Sequence, residues 1–182
     1  TALYCLNPEC SAKLTGKIDR FLCSLDIIGI GENLIQSLIQ DMAVKDPADL
    51  YTLKHRRDRL AALKLGGSVR LGEKRADKFL AEVEKRRRLT LSQLLGSLGI
   101  FGLGKRRVAL IQKAVPGEFE KLDDWLSDKL IRLADQAGEP NTGRRLQEHL
   151  QDQKPSIQKF LDPGLEIIDP DTLRPLPYGE VG

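Results

Sequence analysis

The feature that most constrains the fold of this chain is an internal repeat. A shift of 73 residues places IDRFLCSLDIIGIGENLIQSLI on LSQLLGSLGIFGLGKRRVALIQ, with apolar residues meeting apolar residues on both sides of a turn. In the turn, Gly29 and Gly31 meet Gly102 and Gly104. Apolar positions that recur every three or four residues form one face of a helix. The repeat therefore predicts two copies of a unit made of a helix, a short glycine-containing turn and a second helix.

Two weaker copies extend the pattern. The stretch VRLGEKRADKFL aligns when Gly72 takes the place of Gly31, although Arg70 replaces the first glycine and the preceding KLGGSV reads as extra loop. The stretch EPNTGRRLQEHL aligns only through Gly143, Leu146 and Leu150, while Gln147 occupies a place that is otherwise apolar. The sequence thus predicts tandem repeats of one helical hairpin.

Helix-start signals support an all-α fold class. Asp46 offers an N-cap, with Pro47 at the first helical position, and TLSQ at residues 90–93 is a capping box. β-branched runs that alternate with polar residues, as in half-buried strands, are absent from the sequence. We expect helices almost throughout.

Composition places the chain among globular proteins of a reducing compartment. The 182 residues are 41% hydrophobic, without a run of eighteen apolar residues or the pattern of a signal peptide. Three cysteines, an odd number, argue against a disulfide framework. We expect a cytoplasmic, monomeric protein without a membrane partner, and a first residue other than Met suggests part of a longer protein.

Charge is concentrated in the middle of the chain. Residues 51–115 hold 17 Lys and Arg against 5 Asp and Glu, although the net charge is only +3. A basic segment between acidic ones is typical of a nucleic-acid binder, but a run such as EKRRR also suits a solvated helix face. Charge alone leaves both interpretations open.

The glycine turns add a reason to favour an anion. Helix starts leave backbone N–H groups without partners, and the helix dipole makes that end positive, so a phosphate fits there. The alternative is that the glycines only allow a tight turn, with Ile30, Leu71 and Leu103 closing a small core. The candidate DNA-contacting residues are Gly29, Ile30, Gly31, Leu71, Gly72, Lys74, Arg75, Gly102, Leu103, Gly104, Lys105, Arg106 and Arg107.

An ordered series of stretches resembles one family, the C-terminal half of bacterial NAD-dependent DNA ligases. The resemblance runs from about Ala2 to Ile111 through LYCLNPECSAKLTGKIDRF, DIIGIGENLIQSLI, VKDPADLYTL, LGEKRADKFLAEVEK and LLGSLGIFGLGKRRVALI. It implies that the hairpins are helix-hairpin-helix motifs, and that a zinc finger precedes them and a BRCT domain usually follows. It divides the chain into a finger remnant at 1–16, a tandem helix-hairpin-helix domain at 17–160 and an extended tail at 161–182. The tail could instead pack on the helices through Leu165, Ile167 and Ile168.

The resemblance also implies a metal half-site. Cys5 and Cys10 match the second of the two cysteine pairs in the family's finger, whose first pair would lie upstream of Thr1. Because structural zinc needs four ligands, we expect this chain to hold zinc weakly or in part. Cys23 reads as a small core residue, and His55 and His149 read as surface residues.

Catalytic residues are not recognisable in this sequence. The resemblance implies that the lysine nucleophile and the NAD site lie in other parts of the parent ligase. Gly-Leu-Gly is part of a dinucleotide fingerprint, but no predicted strand precedes it. We expect that this chain alone is not an enzyme.

Two functions remain in view from the sequence. The first is binding of nicked duplex DNA, without sequence preference, through phosphates on the minor-groove side, as the DNA-holding module of a ligase that acts in replication and repair. The alternative is a tandem helix-hairpin-helix module that associates with other proteins in DNA repair. The basic middle of the chain favours the first.

Overall fold

The computed structural model describes residues 10–66, 69–161 and 164–176 of this chain. They fall into two compact units that meet in sequence between Lys85 and Arg86, inside the region that the sequence assigned to one domain. Most of the described residues are helical, in agreement with the all-α prediction. Among the helices described, none combines the length and the apolar character needed to cross a membrane.

The first unit is entirely helical in its regular elements. Asp46 begins the third of these elements as predicted, since its carboxylate accepts from the Ala48 N–H at 3.0 Å while Asp49 accepts from the Asp46 N–H at 3.0 Å. The helix that follows is a 3₁₀ helix instead of an α-helix. The elements are α1 (Ser11–Ser24), α2 (Glu32–Met42), a 3₁₀ helix (Pro47–Arg56), α3 (Arg57–Ala61) and α4 (Glu73–Lys85).

The core of the first unit forms from the apolar faces that the helical spacing predicted. Phe21 on α1 packs edge-to-face on Tyr51 of the 3₁₀ helix, with ring centroids 6.4 Å apart and planes at 83°. An ion pair between Lys17 and Asp46, 2.9 Å long, joins α1 to the start of the same 3₁₀ helix. Other buried side chains of this core are Ile18, Leu22, Ile35, Leu38, Met42, Leu53, Leu60 and Phe79.

One residue of α1 corrects a prediction. Cys23 is exposed, and its Sγ lies 3.9 Å from Asp19 Oδ1 on the same face. The core face of α1 carries Phe21 and Leu22, so the next residue along the helix turns towards solvent. The prediction of a core cysteine was wrong.

The second unit begins with the predicted capping box. The Gln93 N–H donates to Thr90 Oγ1 at 3.2 Å, and the Thr90 N–H donates to Gln93 Oε1 at 2.9 Å. Trp125 is fully buried and its indole N–H donates to the Phe119 carbonyl at 3.0 Å. The elements are β1 (Arg88–Thr90), α5 (Leu91–Ser97), α6 (Lys105–Ala114), α7 (Leu122–Leu126), α8 (Lys129–Gln136), α9 (Pro140–Leu161) and β2 (Glu166–Ile168).

A short parallel ladder joins the two ends of the second unit. β1 pairs with β2 so that Leu89 stands opposite Ile167, and both side chains are buried. Leu165 and Ile168 are buried as well, and the Leu176 N–H donates to the Ile167 carbonyl at 2.8 Å. Of the two interpretations that the sequence left open for the tail, residues 164–176 follow the packed one. A three-residue strand is too short to show alternation, so no local pattern predicts this ladder.

The last helical hairpin differs from its predicted register. α9 begins at Pro140, so Gly143 lies within its first turn and does not precede the helix as Gly31 precedes α2. A Cβ on Gly143 would lie 2.4 Å from the Cβ of Ala134. This glycine therefore allows α8 and α9 to approach closely, and its assignment to the turn was wrong.

Gln147, which breaks the apolar pattern of α9, is buried. Its amide nitrogen donates to the Trp125 carbonyl at 3.4 Å, while its Oε1 has no hydrogen-bond partner among the described residues. A polar side chain takes an apolar place here because the α7 carbonyl offers it an acceptor.

Candidate nucleic-acid interface

The turns at 25–31 and 98–104, here the first and third turns, share their backbone conformation. Gly29 and Gly102 have φ of +89° and +74°, a region that suits glycine. Gly31 and Gly104 are extended, with φ/ψ of −81°/162° and −85°/165°. The two positions that align in sequence thus also align in conformation, one in each compact unit.

Each of these turns ends in a glycine at the N-cap position, which has no side chain that could cap the helix. Side-chain caps are not found at the start of α2 or α6 in the described structure. Apart from its chain neighbours, a Cβ placed on Gly31 or Gly104 would meet no described atom within 4 Å, so the space on the Cβ side of both glycines is open. Since the first amides of a helix have no partner inside it, both starts can receive an anion.

Three cationic residues follow the third turn directly, and their side chains differ in position. Lys105 and Arg106 are exposed in the first turn of α6. Arg107 instead turns back, and its Nη1 donates to the Gly102 carbonyl at 2.8 Å. This bond braces the turn, so Arg106 is better placed than Arg107 to contact a phosphate.

Gly96, which sequence reasoning did not single out, sets the start of α6. A Cβ at this position would lie 2.4 Å from the backbone nitrogen of Lys105 and 2.7 Å from its Cα. α5 therefore lies directly against the N-terminus of α6. A glycine within an apolar helical run is the signal that could have pointed to this close approach.

The first turn has no cation on its own helix start, which begins with Glu32 and Asn33. It lines one side of a groove of about 410 Å³, and α4 lines the other side with Arg75 and Lys78. The groove also contains Glu82, whose carboxylate pairs with Lys85 at 2.6 Å. The structure thus brings Arg75 to the first turn, together with Lys78, which sequence reasoning missed although it lies one helical turn further along α4.

The second turn, at 62–72, departs from the repeat. Gly72 directly precedes α4 as Gly31 precedes α2, so the predicted register holds, but its φ of +81° differs from the extended conformation of Gly31 and Gly104. An antiparallel bridge between Lys64 and Arg70 closes the extra loop. The loop changes the path by which the chain enters α4, and this explains the different backbone at Gly72.

An ion pair fixes the helices of this second hairpin. Arg57 on α3 forms a two-pronged contact with Asp77 on α4, with Nε to Oδ1 at 2.6 Å and Nη2 to Oδ2 at 2.7 Å. The hydrogen bond to Arg57 holds the pKa of Asp77 below its ordinary value, and Asp77 raises the pKa of Arg57 in return. Arg57 is therefore engaged within the hairpin, whereas Lys74 is exposed on the outside of α4.

The apolar residues within the turns lie mostly in the core. Leu71 and Leu103 are buried, and Ile30 is half-buried. For the first two side chains the structure favours the core-closing interpretation, so only their backbone could reach a ligand. Contact of the candidate residues with DNA stays a prediction.

The predicted zinc half-site lies at the edge of the described structure. Cys10 is half-buried and precedes α1, while Cys5 lies outside the described residues. No group of three or more His, Cys, Asp or Glu side chains within the described ranges could hold a metal ion. His55 and His149 are exposed, as predicted.

Comparison with known proteins relates the chain to DNA ligases. It is 35% identical over 136 residues to a DNA ligase of Macrococcus caseolyticus, a match that covers 74% of this chain and 19% of that protein. It is 29% identical over 169 residues to a DNA ligase of Desulforamulus reducens, covering 91% of this chain and 24% of that protein. DNA ligase 1 of Deinococcus deserti is 33% identical over 152 residues, covering 80% and 21%. No protein-family model matches the chain. The chain thus spans about a fifth of the length of these relatives and is similar to one segment of them.

Proposed function

We propose that this chain holds nicked duplex DNA for an NAD-dependent DNA ligase that acts in replication and repair. It binds phosphates on the minor-groove side, without reading the bases, through helix-hairpin-helix turns. The observation that carries the proposal is the shared conformation of the first and third turns, each with an open helix start. Similarity to proteins named DNA ligase supports it.

The physical argument rests on what a phosphate needs. Backbone N–H groups at a helix start donate to phosphate oxygens, and the positive end of the helix dipole adds attraction. Arg106 beside the third turn, and Arg75 and Lys78 across the groove from the first, supply positive charge. Such contacts position a duplex and carry no sequence information.

Chemistry on the nick belongs to other parts of the parent enzyme in this proposal. Adenylyl transfer from NAD uses a lysine nucleophile outside this chain, so NAD is a cofactor of the parent and not of this part. Cys5 and Cys10 would supply two of the four ligands that structural zinc requires. Cytoplasmic location and a monomeric state are parts of the same proposal.

Binding of a labelled duplex with a central nick, followed by fluorescence anisotropy, tests the proposal. We expect saturable binding. Unlabelled duplexes of unrelated sequence should all compete equally well with the labelled duplex, because the phosphate backbone is the same in every sequence. A chain that binds no duplex would contradict the proposal and favour the protein-association alternative.

Incubation with NAD labelled in its adenylyl group tests the assignment of the chemistry. We expect the chain to stay unlabelled. A covalent label on any lysine would show that nucleotidyl transfer takes place within this chain.

A further inference from the structure

The first and third turns each expose a large apolar side chain at the same position of the repeat. Ile28 is 85% exposed in the first turn and Phe101 is 69% exposed in the third. Each precedes the glycine of positive φ, and each follows a buried isoleucine, Ile27 or Ile100. The turn therefore presents its apolar residue outward in both compact units.

Single exposed hydrophobic residues are common on protein surfaces and need no explanation. An exposed apolar side chain that recurs at the same repeat position does call for an explanation, because the turn conformation that exposes Ile28 is reproduced at Phe101. The large hydrophobic side chains that are exposed among the described residues are Ile28, Val69, Phe101, Leu110 and Leu173. Three of these five, Ile28, Val69 and Phe101, take the same position of the repeat, and the first and third turns also share their backbone conformation.

The surroundings of both side chains are cationic. Ile28 lines the same groove as Arg75 and Lys78. Phe101 directly precedes Gly102, whose carbonyl oxygen accepts from Arg107 Nη1 at 2.8 Å, and its ring contacts the His149 ring with centroids 5.9 Å apart. An apolar tip flanked by positive charge suits a partner that is anionic and also offers apolar surface.

We propose that Ile28 and Phe101 each enter the minor groove of duplex DNA and pack on its sugars and base edges. This inference rests on the proposed function and deepens it, since it adds an apolar contact to the phosphate contacts of the same turns. The minor groove meets both requirements. Phosphates flank it, and apolar side chains are known to enter it and to pack on its sugars and base edges. In each turn, the backbone N–H groups thus bind a phosphate and the apolar side chain at the tip packs in the minor groove.

The test compares polar substitutions at the tips with matched substitutions elsewhere. Ile28→Asn and Phe101→Asn remove the two tips, while Leu110→Asn and Leu173→Asn remove exposed apolar side chains that lie outside the repeated turns. Binding to nicked duplex is measured at several salt concentrations, and circular dichroism checks that the helices persist. Phe101→Leu retains apolar surface without the aromatic ring.

We expect each tip variant to weaken duplex binding by about tenfold, as loss of one buried apolar side chain implies. The slope of log K against log salt should not change, because an apolar contact releases no counterions. Leu110→Asn and Leu173→Asn should bind as the parent chain does, and Phe101→Leu should keep most of the affinity.

The possible failures are distinguishable. If the parent chain binds duplex and both tip variants bind equally well, this inference is wrong while the proposed function stands. If the parent chain binds no duplex, the proposed function fails and this inference falls with it. A tip variant that leaves DNA binding unchanged but abolishes self-association in ultracentrifugation would show that the tips contact a second copy of the chain, which also overturns the inference.

Discussion

The guanidinium of Arg107 donates a hydrogen bond to the carbonyl oxygen of Gly102, 2.8 Å away across the third turn. The sequence groups Arg107 with Lys105 and Arg106 as three like cations. The structure separates Arg107 from Arg106, because the side chain of Arg107 bonds back to its own turn while that of Arg106 is exposed. A residue that braces a turn affects its stability, whereas a cation on a solvated face does not.

Replacement of Arg107 should therefore cost stability where replacement of its neighbour does not. We expect Arg107→Ala to lower the urea midpoint of unfolding slightly and Arg106→Ala to leave it unchanged, since alanine is a good helix former at both positions. Identical midpoints for the two variants would show that the bond to Gly102 does not brace the turn.

Gly96 and Gly16 should respond in opposite directions to the same substitution. Gly96→Ala places a methyl group against the backbone of Lys105, and we expect a loss of about 2 kcal/mol or more in the free energy of unfolding. Gly16 lies in α1 with no described atom within 4 Å of its Cβ position, so Gly16→Ala should gain about 0.5 to 1 kcal/mol. Urea unfolding measures both, and a neutral Gly96→Ala would mean that α5 does not set the start of α6.

The ion pair between Arg57 and Asp77 should make stability depend on pH in the acid range. Because folding lowers the pKa of Asp77 below its ordinary value of about 3.8, its contribution is present above that value and lost as the pH falls through the folded pKa. Asp77→Asn should thus be less stable than the parent chain at about pH 6, and the difference should shrink at about pH 2. An equal difference at both pH values would contradict this account.

Features with local causes could be predicted from the sequence. The caps at Asp46 and Thr90, and the first and third turns, follow from residues within a few positions of one another. Close approaches between elements could not be predicted, because they depend on partners that are distant along the chain. Leu89 meets Ile167 in the ladder, and Gly143 lies where it does because of Ala134.

The residues of the candidate site likewise differ in whether a local sequence pattern predicts them. Lys105 and Arg106 were predicted beside the third turn because they follow Gly104 directly. Lys78 reaches the first turn only through the packing of α4, so no local pattern indicates it. The second turn keeps its predicted register and extra loop, but the positive φ of Gly72, next to the bridge that closes this loop, could not be predicted.

The salt dependence of duplex binding should distinguish the two ends of α6. Arg106 stands beside the proposed phosphate site, and Lys113 is exposed near the other end of the same helix. Arg106→Ala should make the slope of log K against log salt shallower by about 0.9, while Lys113→Ala should leave it unchanged. Equal slopes for both variants and the parent chain would mean that Arg106 belongs to a solvated face.

The most direct test of the central claim, that the turn backbone binds phosphate, is the duplex affinity of Gly104→Ser. The extended φ of −85° and the open space at this position accept a side chain without strain, and serine is a favoured N-cap. Its hydroxyl would accept from the same amides that a phosphate would use. We predict an unfolding midpoint equal to or higher than that of the parent chain, together with duplex binding weakened by about tenfold through lost charge-assisted hydrogen bonds. Duplex binding equal to that of the parent chain, with the added cap in place, would contradict the account.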